Sequence, residues 1–288
     1  MLLSMKNHGW FSSVKIISYY MKEYLIGIDS DGTAFDSMTL KHRYAFIPAL
    51  LEIWGLREHA GKIQEICEYI NLYSSTRGVN RFLGMKLAFQ KFEEEGIPVP
   101  DYHSIDGFLS AGKPSNASLQ NYLKHNDSPF LRQLLEWSRL ADRYFEEKVK
   151  NLLPFRGVLP VLKQAEDRAE IAVISSATEK SLRTDWQKED LLNHVTALYG
   201  LEFGSKSAQL KAAARTRFDG AHMLMIGDAA GDHEAARSVG AWFYPIIPGE
   251  EEKSWEQLRE RYLEDFLAGK FGLVQEELLS CFYHTAKN

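Results

Sequence analysis

Asp29 and Asp31 stand two residues apart where a short apolar run, Tyr24-Leu-Ile-Gly-Ile28, breaks into the turn Asp29-Ser30-Asp31-Gly32-Thr33. Carboxylates in such company can do nucleophilic or general acid–base work, or gather round a hard cation. The same residues also make an ordinary turn, because Asp and Gly are common turn formers, and the motif alone does not choose between these readings. A calcium loop of the EF-hand kind is excluded. It needs glycine at its sixth position and glutamate at its twelfth, whereas Gly32 is fourth and the twelfth residue from Asp29 is Leu40.

Other polar residues punctuate the chain in the same manner. The apolar run Ile171-Ala-Val-Ile174 closes on Ser175, and Met223-Leu-Met-Ile226 closes on Gly227-Asp228 with Asp232 shortly after; Lys206 opens a helical stretch. Each has a plain alternative: Ser175 as a helix cap or strand-end hydroxyl, Lys206 as a solvated lysine, Asp232 as a first-turn residue favoured by the helix dipole. Asp36 is assigned to the turn.

Positioning these residues requires a particular kind of sheet. An apolar run closed by Asp-Gly reads as a strand buried on both faces, as in parallel sheets, and its end falls at the carboxyl edge where open α/β folds bind ligands. From Gly157 onward, strands expected over 171–174, 195–199, 223–226 and 242–247 alternate with helices over 158–168, 178–188, 206–217 and 231–239. Pro245 marks an edge or an end. Such alternation implies parallel strands joined by right-handed crossovers.

Between residues 38 and 152 no strand of that type appears. Apolar stripes at helical spacing run over 44–54, with Pro48 as a break or first-turn residue, over 63–73, over 82–92, and over 129–150; Ser115 or Asn116 caps a shorter helix. An insertion of this size is usually a functional domain or lid. Within it, Ser74-Ser-Thr76-Arg77-Gly78-Val-Asn80-Arg81 carries two guanidinium groups suited to anions. Arg77, Asn80 and Arg81 are therefore candidate substrate contacts, against the alternative of a solvated helix start capped by Thr76 or Asn80. Lys113 is a weaker candidate.

The composition is ordinary: 288 residues, 45% hydrophobic and 25% charged, with 34 Lys plus Arg against 39 Asp plus Glu. A mild acidic excess without a long basic run argues against nucleic acid or an anionic membrane as partner. Two distant cysteines, Cys67 and Cys281, do not suggest a disulfide scaffold and fit a reducing cytoplasm. The first twenty residues, interrupted by Lys6, His8 and Lys15, read neither as a signal peptide nor as a span. They look like an appendage, with Met21 an alternative start.

In order, Asp29-Ser-Asp31-Gly-Thr, Ile-Ser175, Gly-Ser-Lys206 and Gly227-Asp228-Ala-Ala-Gly-Asp232 resemble the four motifs of the haloacid dehalogenase superfamily. The resemblance covers roughly residues 24–247, with the helical stretch where many members carry a cap. It implies an α/β, Rossmann-like parallel-sheet core with an inserted all-helical cap. The expected division is an amino-terminal extension 1–21, a core of 22–37 and 153–249, a cap 38–152 and a carboxyl-terminal helical extension 250–288.

The resemblance also implies roles. Asp29 would attack phosphorus and carry the aspartyl-phosphate, Asp31 would serve as general acid and then base, and Ser175 and Lys206 would hold phosphoryl oxygens. Mg²⁺ would be held by Asp29, the Asp31 carbonyl and Asp228, with Asp232 direct or through water. Dehalogenases and phosphonate-cleaving relatives lack an acid at the position of Asp31, so a phosphatase of a small phosphorylated metabolite is favoured. A phosphomutase is the nearest rival; mutases of the β-phosphoglucomutase kind use a cap histidine near the place of Lys41 and His42. A non-catalytic phospholigand-binding protein using the long tail as an interaction surface is the third alternative. The oligomeric state is open.

Overall fold

A computed structural model describes residues 22–149 and 152–285; the expected extension 1–21 lies outside the described residues. Its centre is β1, Tyr24–Ile28, all five residues of which are buried. β1 pairs in parallel with β2, Ala169–Ile174, on one side and with β4, Met223–Gly227, on the other. β3, Ala197–Tyr199, and β5, Trp242–Pro245, form the edges, giving the order β3-β2-β1-β4-β5 with every pair parallel. The chain leaves β1 towards β2 and β3, then returns to the other side for β4 and β5. The carboxyl ends of β1 and β4 therefore flank the switch point, where loops diverge and leave a crevice.

Side chains alternate across this sheet. Tyr24, Ile26 and Ile28 face one apolar layer with Val158, Leu162, Trp186 and Trp255, while Leu25, Ile174 and Met225 face another with Leu210, Phe243 and Phe282. Gly27 lets the helix Lys206–Ala214 come close, since a Cβ there would lie 2.8 Å from a Leu210 methyl. The first layer also takes in the carboxyl-terminal helices: Trp255, Leu258, Leu263 and Phe266 are fully buried in it.

The residues between β1 and β2 form helices with an apolar cluster of their own. The main ones are 37–53, Ala60–Glu68, Arg81–Glu94 and Pro129–Lys148, whose contacts centre on Phe82, Phe89, Leu134 and Trp137. Pro48 breaks nothing: it falls at the start of Ile47–Ile53, just past a π-helical turn at His42–Phe46. Ser115, not Asn116, is the helix cap, through a reciprocal pair with Ser118.

Four strand bounds differ from the sequence reading: β2 begins two residues earlier, at Ala169, β4 runs one residue further, to Gly227, and β3 and β5 are shorter. β3 begins at Ala197, because Thr196 turns its hydroxyl and amide to Ile171 before the ladder starts. β5 ends at Pro245, which has no N–H to extend it. Among the described residues no helix is long and apolar enough to cross a membrane.

Candidate active site

β1 ends by hydrogen bonding Asp29 N–H to Ile226 O at 3.0 Å, and the chain then folds into a tight loop in which Ala34 and Phe35 both donate to Ser30 O. Gly32 takes φ +82° there. A Cβ at that position would stand 2.5 Å from Asp228 Oδ2 and 2.6 Å from an Arg77 nitrogen, so only glycine allows the loop this close to both. Two tryptophans brace the loop from behind: Trp186 Nε1 donates to Ser30 Oγ at 3.0 Å and Trp255 Nε1 to Thr33 O at 2.8 Å.

The loop sends its two carboxylates to different partners. Asp29 Oδ1 lies 2.9 Å from Lys206 Nζ, which also reaches Asp232 Oδ1 at 2.6 Å. Asp31 instead accepts from Ser37 Oγ and from Lys41 Nζ, the latter at 2.6 Å. Asp228, at the end of β4, accepts from Thr33 Oγ1 at 2.8 Å and from Arg77 Nε at 2.5 Å. Asp232 is fully buried and its second oxygen caps Ala229 N at 3.1 Å, so it does serve the helix start while facing Lys206. Ser175 is buried at the end of β2; its hydroxyl accepts from Ala177 N at 3.1 Å. Asp29, Asp31, Ser175, Lys206, Asp228 and Asp232 thus share the walls of one cavity of about 640 Å³.

Charge in this cleft is not balanced. Burial raises the Asp29 carboxyl well above the usual carboxylate range; Asp232 and Asp228 add to the rise, and Lys206 opposes it. Burial and the charge of Asp228 likewise raise Asp232, again against Lys206. Lys206 is firmly cationic: burial alone would lower it, but Asp232 and Asp29 raise it further. Asp31 behaves oppositely. Burial would raise it, yet the charge and hydrogen bond of Lys41, helped by Ser37, bring it below its ordinary value.

The donor set suits a hard divalent cation. Asp29, Asp228 and Asp232 each present a buried carboxylate oxygen within 4.8 Å of the others, and oxygen-only ligation is what Mg²⁺ requires. The raised Asp29 and Asp232 mark a shortage of positive charge that such an ion would supply.

Of the remaining sequence candidates, Arg77 lines the same cavity, Asn80 and Arg81 line the cavity that adjoins it at Asp31, and Lys113 lies apart. Arg77 is buried on Asp228 and also donates to Leu72 O at 2.7 Å, so it is no solvated helix start. Asn80 caps Arg81–Glu94 by accepting from Phe82 N. Arg81 binds Ser138 Oγ and Asp142 Oδ1, at 3.0 and 2.6 Å, with its guanidinium 5.0 Å from the Phe46 ring centroid. Lys113 is exposed. Sequence reasoning missed Gln209, fully buried, whose amide donates to the carbonyls of Ser175, Gly200 and Gly204. Its signal was a polar residue on the apolar side of 206–217, beside Leu210 and Ala213.

A family model described as haloacid dehalogenase-like hydrolase matches residues 83–245, which include Ser175, Lys206, Asp228 and Asp232 and begin after Asp29 and Asp31. Two solved structures share the fold. One, from Lactobacillus delbrueckii subsp. bulgaricus and described as a candidate phosphoglycolate phosphatase, is 15% identical over 83% of this chain and 98% of its own, with a TM-score of 0.52. The other, from Haemophilus somnus 129pt and described in the same terms, is 14% identical over 80% of this chain and 91% of its own, with a TM-score of 0.50. No curated protein matches the chain.

Proposed function

The chain belongs to the haloacid dehalogenase-like hydrolase family, and on that premise we propose that it hydrolyses the phosphate monoester of a small metabolite, using Asp29 as nucleophile and Mg²⁺ as cofactor. The observation that carries this reading is the junction of Asp29, Asp232 and Lys206 at the sheet's switch point, beside Asp228.

Asp29 attacks phosphorus, the bond from phosphorus to the leaving oxygen breaks, and an aspartyl-phosphate forms. Asp31 gives its proton to the departing alkoxide, then takes one from the water that cleaves the acyl-phosphate. Lys206, the Ser175 hydroxyl and the backbone N–H groups beside it hold phosphoryl oxygens as charge redistributes. Asp29, Asp228 and Asp232, with the carbonyl of Asp31, would hold the ion, which would supply positive charge against the phosphoryl oxygens and allow these carboxylates to stay ionised together. In this reading residues 22–37 and 153–249 are the catalytic core, 38–152 the cap that closes over it, and 250–288 a helical extension. Closure would keep bulk water from the acyl-phosphate.

Turnover of a phosphate-ester panel with and without EDTA tests the proposal. Activity is expected only with a divalent ion and is expected to vanish in Asp29→Asn; metal-independent turnover would rule the mechanism out. A phosphomutase keeps one supporting observation, since Lys41 and His42 both line the cavity adjoining Asp31. Isomer formation stimulated by a bisphosphate would favour it.

A further inference from the structure

From Asp31 the cleft continues into a second cavity of about 690 Å³ between the helices that follow β1 and the segments after β2 and β3, from which Ser176, Thr178 and Leu201 line it. That volume is well inside the range of small-molecule sites and generous for a leaving group of two carbons. Much of its wall is apolar: Phe46, Ile47, Leu50, Met85, Trp137 and Phe145 all line it.

Its charges are arranged against a second anion. Among the described residues only Lys41 and Arg81 bring a cation to the wall, facing three carboxylates, Asp31, Asp142 and Glu146. Both cations are already paired, Lys41 with Asp31 and Arg81 with Asp142, each at 2.6 Å. His42 adds no charge: burial, then Arg77 and Lys41, lowers its imidazole to about 3. A carboxylate or second phosphate entering here would lose hydration without gaining a free counter-charge, which is costly. An uncharged apolar group would meet the Leu50, Met85 and Phe145 side chains at no such cost.

Resting on the phosphatase reading above, we infer that the substrate is the phosphate monoester of an uncharged, largely apolar alcohol, its apolar part lodged against the wall formed by Leu50, Met85 and Phe145, and not a phosphorylated small acid or a bisphosphate. The experiment compares three esters of similar intrinsic reactivity on the full-length, Mg²⁺-loaded protein: benzyl phosphate, ethyl phosphate and phosphoglycolate. Expected is a kcat/KM at least tenfold higher for benzyl phosphate than for either of the others. Benzylphosphonate should likewise inhibit with a Ki at least tenfold below that of phosphonoacetate. Equal values for benzyl and ethyl phosphate, or a preference for phosphoglycolate, would overturn the inference and leave the phosphatase reading standing. Absence of turnover of all three would overturn that reading and this inference with it.

Discussion

Arg77 Nε lies 2.5 Å from Asp228 Oδ2, joining a loop of the helical region to the end of β4 across 151 residues of sequence, with side chains only 6% and 3% exposed. The guanidinium thus covers a carboxylate that a divalent ion would use, so the two cations would compete for Asp228. Removing one partner of such a buried pair leaves an uncompensated charge worth about 3–5 kcal/mol. Arg77→Gln should therefore lower the melting temperature of the metal-free protein and tighten Mn²⁺ or Mg²⁺ binding by about tenfold, or about 1.4 kcal/mol. Calorimetric titration checks it: an unchanged or weaker metal affinity would show that Arg77 does not compete.

The raised carboxyls make a pH prediction whose sign is fixed. Asp29 and Asp232 are lifted by burial foremost, so the folded state holds protons that the unfolded state has released. Their stabilising effect is full below the unfolded value, 3.8, and is lost as pH rises through the folded value. The metal-free protein should accordingly lose melting temperature over that window, and saturating Mg²⁺ should flatten the loss. Asp31, which is lowered, contributes in the opposite sense and only at the acid end, as pH falls through its folded value. Asp29→Asn isolates the effect: metal-free, it should melt above wild type by about 2–4 °C per kcal/mol relieved near neutral pH, and the difference should vanish in acid. A variant that melts below wild type at neutral pH would contradict this account.

Lys41 tunes Asp31 without touching phosphorus. Since its charge and hydrogen bond outweigh the burial that would raise Asp31, Lys41→Met should let the carboxyl rise. For kcat/KM, Asp31 must arrive protonated to act as an acid, so the limb on which activity falls with rising pH should move upward by about one pH unit, equivalent to about 1.4 kcal/mol. A fixed limb with a simple loss of amplitude would mean that Lys41 only packs the loop.

How much of this could be read from the sequence depended on how local each signal was. The ends of β1, β2 and β4 were legible because an apolar run followed by a polar turn needs nothing beyond its own residues, and the ladders then bring Asp29 and Asp228 side by side through register. The Arg77 contact was not legible. It depends on how the helical region sits over the sheet, and Ser74–Arg81 by itself reads as a polar helix start. Trp255 shows an intermediate case: its stripe with Leu258 and Tyr262 was visible, but its bond to Thr33 O, which ties the carboxyl-terminal helices to the loop after β1, was not. β3 was read too long because Thr196 is a good strand residue by type and is spent on a side-chain bond instead.

Gln209 ties together three backbone segments that carry or lead to the site residues. Its Nε2 holds Ser175 O and Gly200 O at 2.9 Å each and Gly204 O at 3.1 Å, so one amide clamps the end of β2, the loop after β3 and the turn that leads to Lys206. Gln209→Met keeps the bulk and removes the donors, stranding buried carbonyls at a cost of about 1–3 kcal/mol for each one left unpaired. Gln209→Glu keeps the shape but aims a carboxylate at those carbonyls, and should be the less stable of the two at neutral pH. If the clamp positions Ser175 and Lys206, Gln209→Met should lower kcat by about tenfold, since small misplacements of catalytic groups are costly, while leaving affinity for Mg²⁺ intact. The reverse pattern, full kcat with weakened metal binding, would place the influence of Gln209 on the carboxylate cluster instead.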